Sequence, residues 1–160
     1  MRNLKEFVFK PIPWRKKQKK SFTMLSLVSK SPEETKEFGK KIGKNLFNGT
    51  IIALSGKLGS GKTTLIQGIG EGLGIISPIK SPSFTFINEY QGTLPLYHFD
   101  LYRLNTEGEI ESLGYEEYFY SKGVSVVEWA DRALEVLPEK YIEVKFRHLG
   151  KNKREIKISV

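Results

Sequence analysis

Apolar residues recur along this chain in two rhythms, one of strands and one of helices. Thr50-Ile51-Ile52-Ala53-Leu54 is a short, nearly continuous apolar run, as a strand buried on both faces requires. Leu65, Ile66, Ile69 and Leu73 follow at helical spacing and predict a helix close behind it. Upstream, Ser31-Pro32-Glu33-Glu34 predicts a helix start, with serine as N-cap, proline in the first turn and Glu34 three residues past the cap. Thr35, Phe38, Ile42 and Leu46 then share one face, and Asn48-Gly49 closes that helix. Downstream, Phe84–Tyr90 and Leu94–Leu101 predict two strands joined as a hairpin through Gln91-Gly92-Thr93. Thr106–Phe119 predicts a single helix, Val124–Trp129 a short strand, and Asp131–Leu137 a short helix stopped by Pro138. Ile142, Val144 and Phe146 alternate, as do Ile156, Ile158 and Val160, with Gly150-Lys151-Asn152 between them as a closing hairpin. Strands alternating with helices, plus two hairpins, predict an α/β fold with a mixed central sheet. Gly68, Gly70, Gly72 and Gly74 end the second helix. Each interior glycine costs about 1 kcal/mol against alanine, so the cluster predicts tight packing on the sheet or early fraying.

The run at residues 50–54 leads into Gly56-Lys57-Leu58-Gly59-Ser60-Gly61-Lys62-Thr63, which fits the template G-x-x-x-x-G-K-[ST] at every fixed position. The template describes a device. Glycines let backbone N–H groups turn inward around a phosphate, lysine reaches the terminal phosphates, and the hydroxyl takes a place on Mg²⁺. Strand, loop, helix is the order that device needs, because the helix N-terminus then aims its free N–H groups at the anion. This predicts a P-loop NTPase-like three-layer sandwich. A second acid must stand at the end of a neighbouring strand to hold the metal or its waters. Val124-Ser125-Val126-Val127-Glu128 supplies one, and Asp100, ending Leu96-Tyr97-His98-Phe99, is a second candidate. His98, alone in a strand, reads as a packed or surface residue rather than a general base.

A guanine-specific site would show N-K-x-D and D-x-x-G. Asn152-Lys153-Arg154-Glu155 nears the first but ends in glutamate, and the second does not occur, so ATP is favoured over GTP. Outside the first 20 residues the chain has only Arg103, Arg132, Arg147 and Arg154. That is a thin supply for the arginine-rich acceptor site of a small-molecule kinase.

Composition adds limits. The chain has 160 residues, no cysteine and a formal charge of +8. Disulfides and thiolate chemistry are excluded, and a reducing, cytoplasmic setting is expected. The charge is concentrated. Residues 1–20 hold eight Lys/Arg and one acid, against eighteen and seventeen in residues 21–160. Residues 1–23 therefore read as a basic, flexible extension and residues 24–160 as the ATPase domain. The extension could touch nucleic acid; as a solvated tail it touches nothing. No apolar run is long enough to span a bilayer.

Four segments in order resemble the TsaE family, bacterial ATPases needed to make threonylcarbamoyladenosine in tRNA. They are Gly56–Thr64, Lys80-Ser81-Pro82-Ser83-Phe84-Thr85, Tyr97-His98-Phe99-Asp100-Leu101-Tyr102-Arg103-Leu104 and Val127-Glu128-Trp129. The resemblance runs from about Ser26 to the C-terminus. It implies that Gly56, Lys57, Leu58, Gly59, Ser60, Gly61, Lys62, Thr63 and Thr64 bind ATP phosphates and that Thr63 and Glu128 hold Mg²⁺. It further implies that Asp100 lies beside the metal and γ-phosphate, that Ser81–Thr85 acts as a switch, and that Trp129 edges the site. Lys62, Asp100 and Glu128 are thereby the expected catalytic residues. The implied partners are TsaB and TsaD, with tRNA reached through that complex and hydrolysis resetting it. Lys57 departs from the family, which usually has aspartate there. Two alternatives use the same pocket: a nucleotide-gated interaction module with incidental hydrolysis, and a small-metabolite P-loop kinase.

Overall fold

The computed structural model describes residues 24–160. A seven-stranded mixed sheet forms the centre, in the order β1-β7-β6-β2-β5-β4-β3. The strands are β1 (Met24–Ser29), β2 (Thr50–Ser55), β3 (Ile87–Tyr90), β4 (Leu96–Asp100), β5 (Val124–Glu128), β6 (Ile142–Gly150) and β7 (Lys153–Ser159). β6, β2, β5 and β4 run parallel, so their carboxyl ends open on one edge. The β3–β4 and β6–β7 pairs are antiparallel, as the two hairpin signals require, and β1 pairs antiparallel with β7.

The pleat sorts β2 into two cores. Ile52 and Leu54 join Leu65, Ile66 and Ile69 of α2 (Lys62–Gly72) and Phe38 and Ile42 of α1 (Pro32–Gly43). Ile51 and Ala53 face the opposite layer, where Phe99 and Val127 pack with Ile110 and Phe119 from α3 (Glu107–Glu111) and α4 (Tyr115–Phe119). The architecture is thus helices, sheet, helices, in three layers.

Ser31 caps α1 by accepting from the Glu34 N–H, and Glu34 returns a carboxylate oxygen to the Lys30 N–H. The expected helix over 106–119 is instead two short ones. Thr106 and Glu109 form a full capping box for α3. Gly114 then turns left-handed, with φ of 67°, which breaks the helix before α4. The strand expected from Phe84 begins only at Ile87, because residues 83–85 form a turn and Phe86 takes a φ of 61°. The short helix expected at 131–137 is a single 3-10 turn, Ala130–Arg132. β1 was not anticipated, because its inward residues are only Leu25, Leu27 and Ser29 on a short edge strand. The expected basic extension, residues 1–23, lies outside the described residues.

The glycine cluster packs on a helix rather than on the sheet. A Cβ at Gly68 or Gly72 would strike the Lys36 or Lys40 carbonyl oxygen of α1. A Cβ at Gly39 or Gly43 would strike the Leu65 or Ile69 carbonyl oxygen of α2. The two helices therefore meet backbone to backbone, seated by glycines four apart on each. Gly70 faces elsewhere, onto Ile79, and Gly74, with φ of 73°, meets only Thr93. Gly68→Ala should cost about 1 kcal/mol net, because overpacking of roughly 1–3 kcal/mol outweighs the gain in helix propensity of about 1 kcal/mol. Gly108→Ala in α3, where a Cβ meets nothing, should be neutral or stabilising. Urea unfolding of both variants checks this. Equal midpoints for the two would remove the close helix contact.

Candidate functional site

The loop after β2 and the ends of β4 and β5 enclose a cavity of about 620 Å³. It lies where ligands settle in open α/β sheets, at the carboxyl ends of parallel strands. Gly59 and Gly61, with φ of 73° and 105°, bend the loop back onto the start of α2. Gly61 is the N-cap of α2 and has no side chain to satisfy the helix's first N–H groups, so these point into the cavity.

Lys62 opens α2 and is only 4% exposed. Its ammonium donates to the carbonyls of Gly56 (2.7 Å) and Lys57 (3.0 Å) and, at 3.4 Å, to Ser60 Oγ. Burial holds this ammonium below its usual pKa, and the charges of Glu128, Asp100 and Asp131 offset part of that shift. The Trp129 ring lies over the ammonium, with Nζ 4.3 Å from its centroid. Trp129 reaches that place through a left-handed turn, φ 60°, directly after β5. Tyr102 packs on its ring at 4.8 Å between centroids.

Parallel pairing sets the two acids side by side. Leu54, Glu128 and Asp100 are in register across β2, β5 and β4. Glu128 is buried, and its Oε1 accepts from Thr63 Oγ1 at 2.9 Å. The same oxygen meets His98 Nε2 at 2.8 Å. With Glu128 as carboxylate, the imidazole donates from Nε2. Asp100 accepts from Ser81 Oγ on Oδ2 and from the Tyr102 N–H on Oδ1. The 81–85 loop is thereby tied to the second acid.

Lys62, Thr63, Asp100 and Glu128 thus converge, with Trp129 at the rim. Gly59, Ser60, Gly61 and Thr64 line the same cavity. Gly56 and Lys57 take part through their carbonyls. The Lys57 side chain is exposed, so its charge lies at the surface and only its carbonyl takes part in the Lys62 contact. Leu58 is also exposed, on the cavity rim. His98 was undervalued by sequence reasoning. It is fully buried and touches Glu128 itself. Its signal was available in part: it stands two residues before Asp100, on the strand paired with Glu128.

The residues suit a Mg²⁺–nucleotide. Among the described residues no group of three or more His, Cys, Asp or Glu is arranged to hold a metal. Mg²⁺ bound with phosphate does not need one, since one or two protein oxygens suffice beside phosphate and water. Thr63 Oγ1 and Glu128 form such a pair. A loop of inward N–H groups beside a buried ammonium likewise suits a polyphosphate. No helix among the described residues is long and apolar enough to cross a membrane.

The chain is similar to known proteins over most of its length. The tRNA threonylcarbamoyladenosine biosynthesis protein TsaE of Bacillus subtilis is 46% identical over 127 residues, covering 79% of each chain. The protein of the same name from Treponema pallidum is 39% identical over 132 residues, covering 82% of this chain and 98% of its own. The crystal structure of YdiB from Bacillus subtilis superposes with a TM-score of 0.75 at 37% identity, covering 87% of this chain and 86% of that one. The family described as threonylcarbamoyl adenosine biosynthesis protein TsaE matches residues 29–156, and the chain belongs to that family.

Proposed function

We propose that this protein is a Mg²⁺-dependent, slowly hydrolysing ATPase that serves threonylcarbamoyladenosine formation in tRNA together with TsaB and TsaD. In this reading residues 24–160 are the ATPase domain, working in the cytoplasm, and tRNA is met through the partner complex. The observation that carries it is the convergence of Lys62, Thr63 and Glu128 at the ends of β2 and β5.

Each group has a task that follows from its position. Lys62 exchanges two carbonyl partners for phosphate oxygens, which as full anions are stronger acceptors. The N–H groups of Gly59 through Thr64 surround the phosphates. Thr63 and Glu128 would hold Mg²⁺, which when bound neutralises charge on the β- and γ-phosphate oxygens. His98 fixes Glu128 in place from the buried side. Asp100 stands next to it on β4 and binds Ser81, so a phosphate arriving there would be sensed by the 81–85 loop. Trp129 shields Lys62 from water.

The test is an ATP titration read by Trp129 fluorescence in a Trp14→Phe background, followed by steady-state hydrolysis with and without TsaB and TsaD. Saturable fluorescence change and a several-fold faster rate with partners are expected. Saturable binding with no hydrolysis under either condition would leave an interaction module. No binding at all would remove the nucleotide reading.

A further inference from the structure

Arg154 is a charged residue that the roles above leave unused. It lies on β7, opposite Ser29 of β1 and His148 of β6. It is 7% exposed, and its Nε has no hydrogen-bond partner. No ion pair joins it to a carboxylate among the described residues, whereas its neighbours Arg147 and Glu155 pair with each other at 2.8 Å. A largely buried guanidinium whose Nε is unpartnered gives up hydration for no carboxylate partner, which proteins seldom tolerate without a reason.

Its surroundings supply the reason. One of its terminal nitrogens lies against Gly61, where a Cβ would collide with it, and the Arg154 side chain lines the same cavity as Lys62. Gly61 is required by its φ of 105°, and the guanidinium lies close beside it. Charge is laid out across the sheet. Glu128 and Asp100 end β5 and β4 on one side of β2, while β7 lies on the other side, beyond β6. The acids and Arg154 flank the loop from opposite sides.

We propose that Arg154 binds the α-phosphate of the nucleotide, the end remote from the acids. The inference rests on the ATP reading above. With the terminal phosphates at Lys62 and Thr63 and the metal side at Glu128, Arg154 is the cationic lining residue on the β7 side, away from the two acids, and there it can meet the rest of the nucleotide. The α-phosphate there is the counter-charge that Arg154 lacks, and a planar guanidinium can grip two of its oxygens. Arg154 is thus a binding residue that sets nucleotide affinity and direction in the cavity.

The test compares the full chain with R154M and R154K by calorimetric titration with ATP and with ADP, and by thermal melting without nucleotide. ADP keeps the α-phosphate, so R154M should weaken both nucleotides to a similar degree, by about tenfold or more. Its ligand-free melting temperature should stay level or rise, because an unpaired buried charge has been removed. R154K keeps the charge without the planar fork and should weaken both by at least about threefold; it decides the matter should R154M not fold. ATP and ADP affinities both within twofold of wild type would overturn the proposal. So would a loss for ATP alone, which would place the guanidinium at the γ-phosphate. A melting temperature lowered by many degrees with affinity intact would make Arg154 structural and also overturn it. A wild-type chain that binds neither nucleotide refutes the ATP reading itself, an outcome distinct from equal binding by wild type and variants.

Discussion

Lys62→Ala should weaken ATP binding by about 30-fold or more, since truncating one partner of a buried charge pair costs roughly 2–5 kcal/mol. Lys62 is 4% exposed, and its ammonium is held at the loop by the Gly56 and Lys57 carbonyls. When phosphate arrives the ammonium exchanges these two neutral carbonyls for anionic oxygens, and the gain is that of a charge-assisted bond over a neutral acceptor. The fold should survive. Burial lowers the pKa of this lysine from 10.5 in the folded chain, so the folded state holds its proton less tightly than the unfolded one. Any stability linked to this shift is present above the unfolded value and lost as pH falls through the folded one. At neutral pH, below both, the charged lysine works against folding, and its removal should not lower the melting temperature by more than a few degrees. The same shift gives a pH signature. Wild-type affinity for ATP should begin to fall at a pH below 10.5, as the ammonium loses its proton, and the Lys62→Ala variant should show no such fall. Calorimetry at neutral and alkaline pH measures both effects. Unchanged affinity in a folded variant would remove the phosphate role of the loop.

The parts of the site legible in sequence are those whose chemistry is contiguous. Gly56–Thr63 announces itself because one loop carries glycines, lysine and hydroxyl in fixed order. Glu128 was legible because a strand buried along its whole length ends in a carboxylate, and Asp100 for a similar reason. His98 was not, because its meaning lies in Glu128, 30 residues away, and only the β4–β5 register joins them. Arg154 was visible only as part of a near miss to a guanine motif. Its actual neighbour, Gly61, is 93 positions distant and comes beside it only when β7 takes its place in the sheet. The glycine pairs show the same limit in the fold. Gly39/Gly43 and Gly68/Gly72 repeat at four residues, so each helix plainly carries a small-residue stripe. That the two stripes face each other is a tertiary fact. The break at Gly114 was missed because the helical pattern on both sides is continuous, while the left-handed turn uses a conformation that glycine permits but does not announce.

Glu128→Gln should leave ATP binding within a few-fold of wild type and reduce hydrolysis by about 100-fold, the lower range for loss of a group acting mainly in the transition state. The substitution is nearly isosteric. A glutamine carbonyl in the place of Oε1 still accepts from Thr63 Oγ1 and from His98 Nε2, so the buried hydrogen bonds at 2.9 and 2.8 Å can be kept. What is removed is the negative charge. In the nucleotide ground state Lys62 and the loop N–H groups carry most of the attraction, which leaves affinity largely intact. In the proposed reaction charge would move onto the leaving oxygens, and Thr63 and Glu128 would hold the metal that supplies the neutralising charge. A neutral amide beside Thr63 holds Mg²⁺ less firmly, so part of the loss should be recovered at high Mg²⁺. Rates at saturating ATP across a Mg²⁺ series, with TsaB and TsaD present, separate the two contributions. A fall in kcat with KM nearly constant marks an interaction made in the transition state. If the rate stays within twofold of wild type throughout the series, the charge of Glu128 plays no part in the reaction. Asp100, one strand over and already bonded to Ser81 and the Tyr102 N–H, then becomes the acid to replace in the same assay.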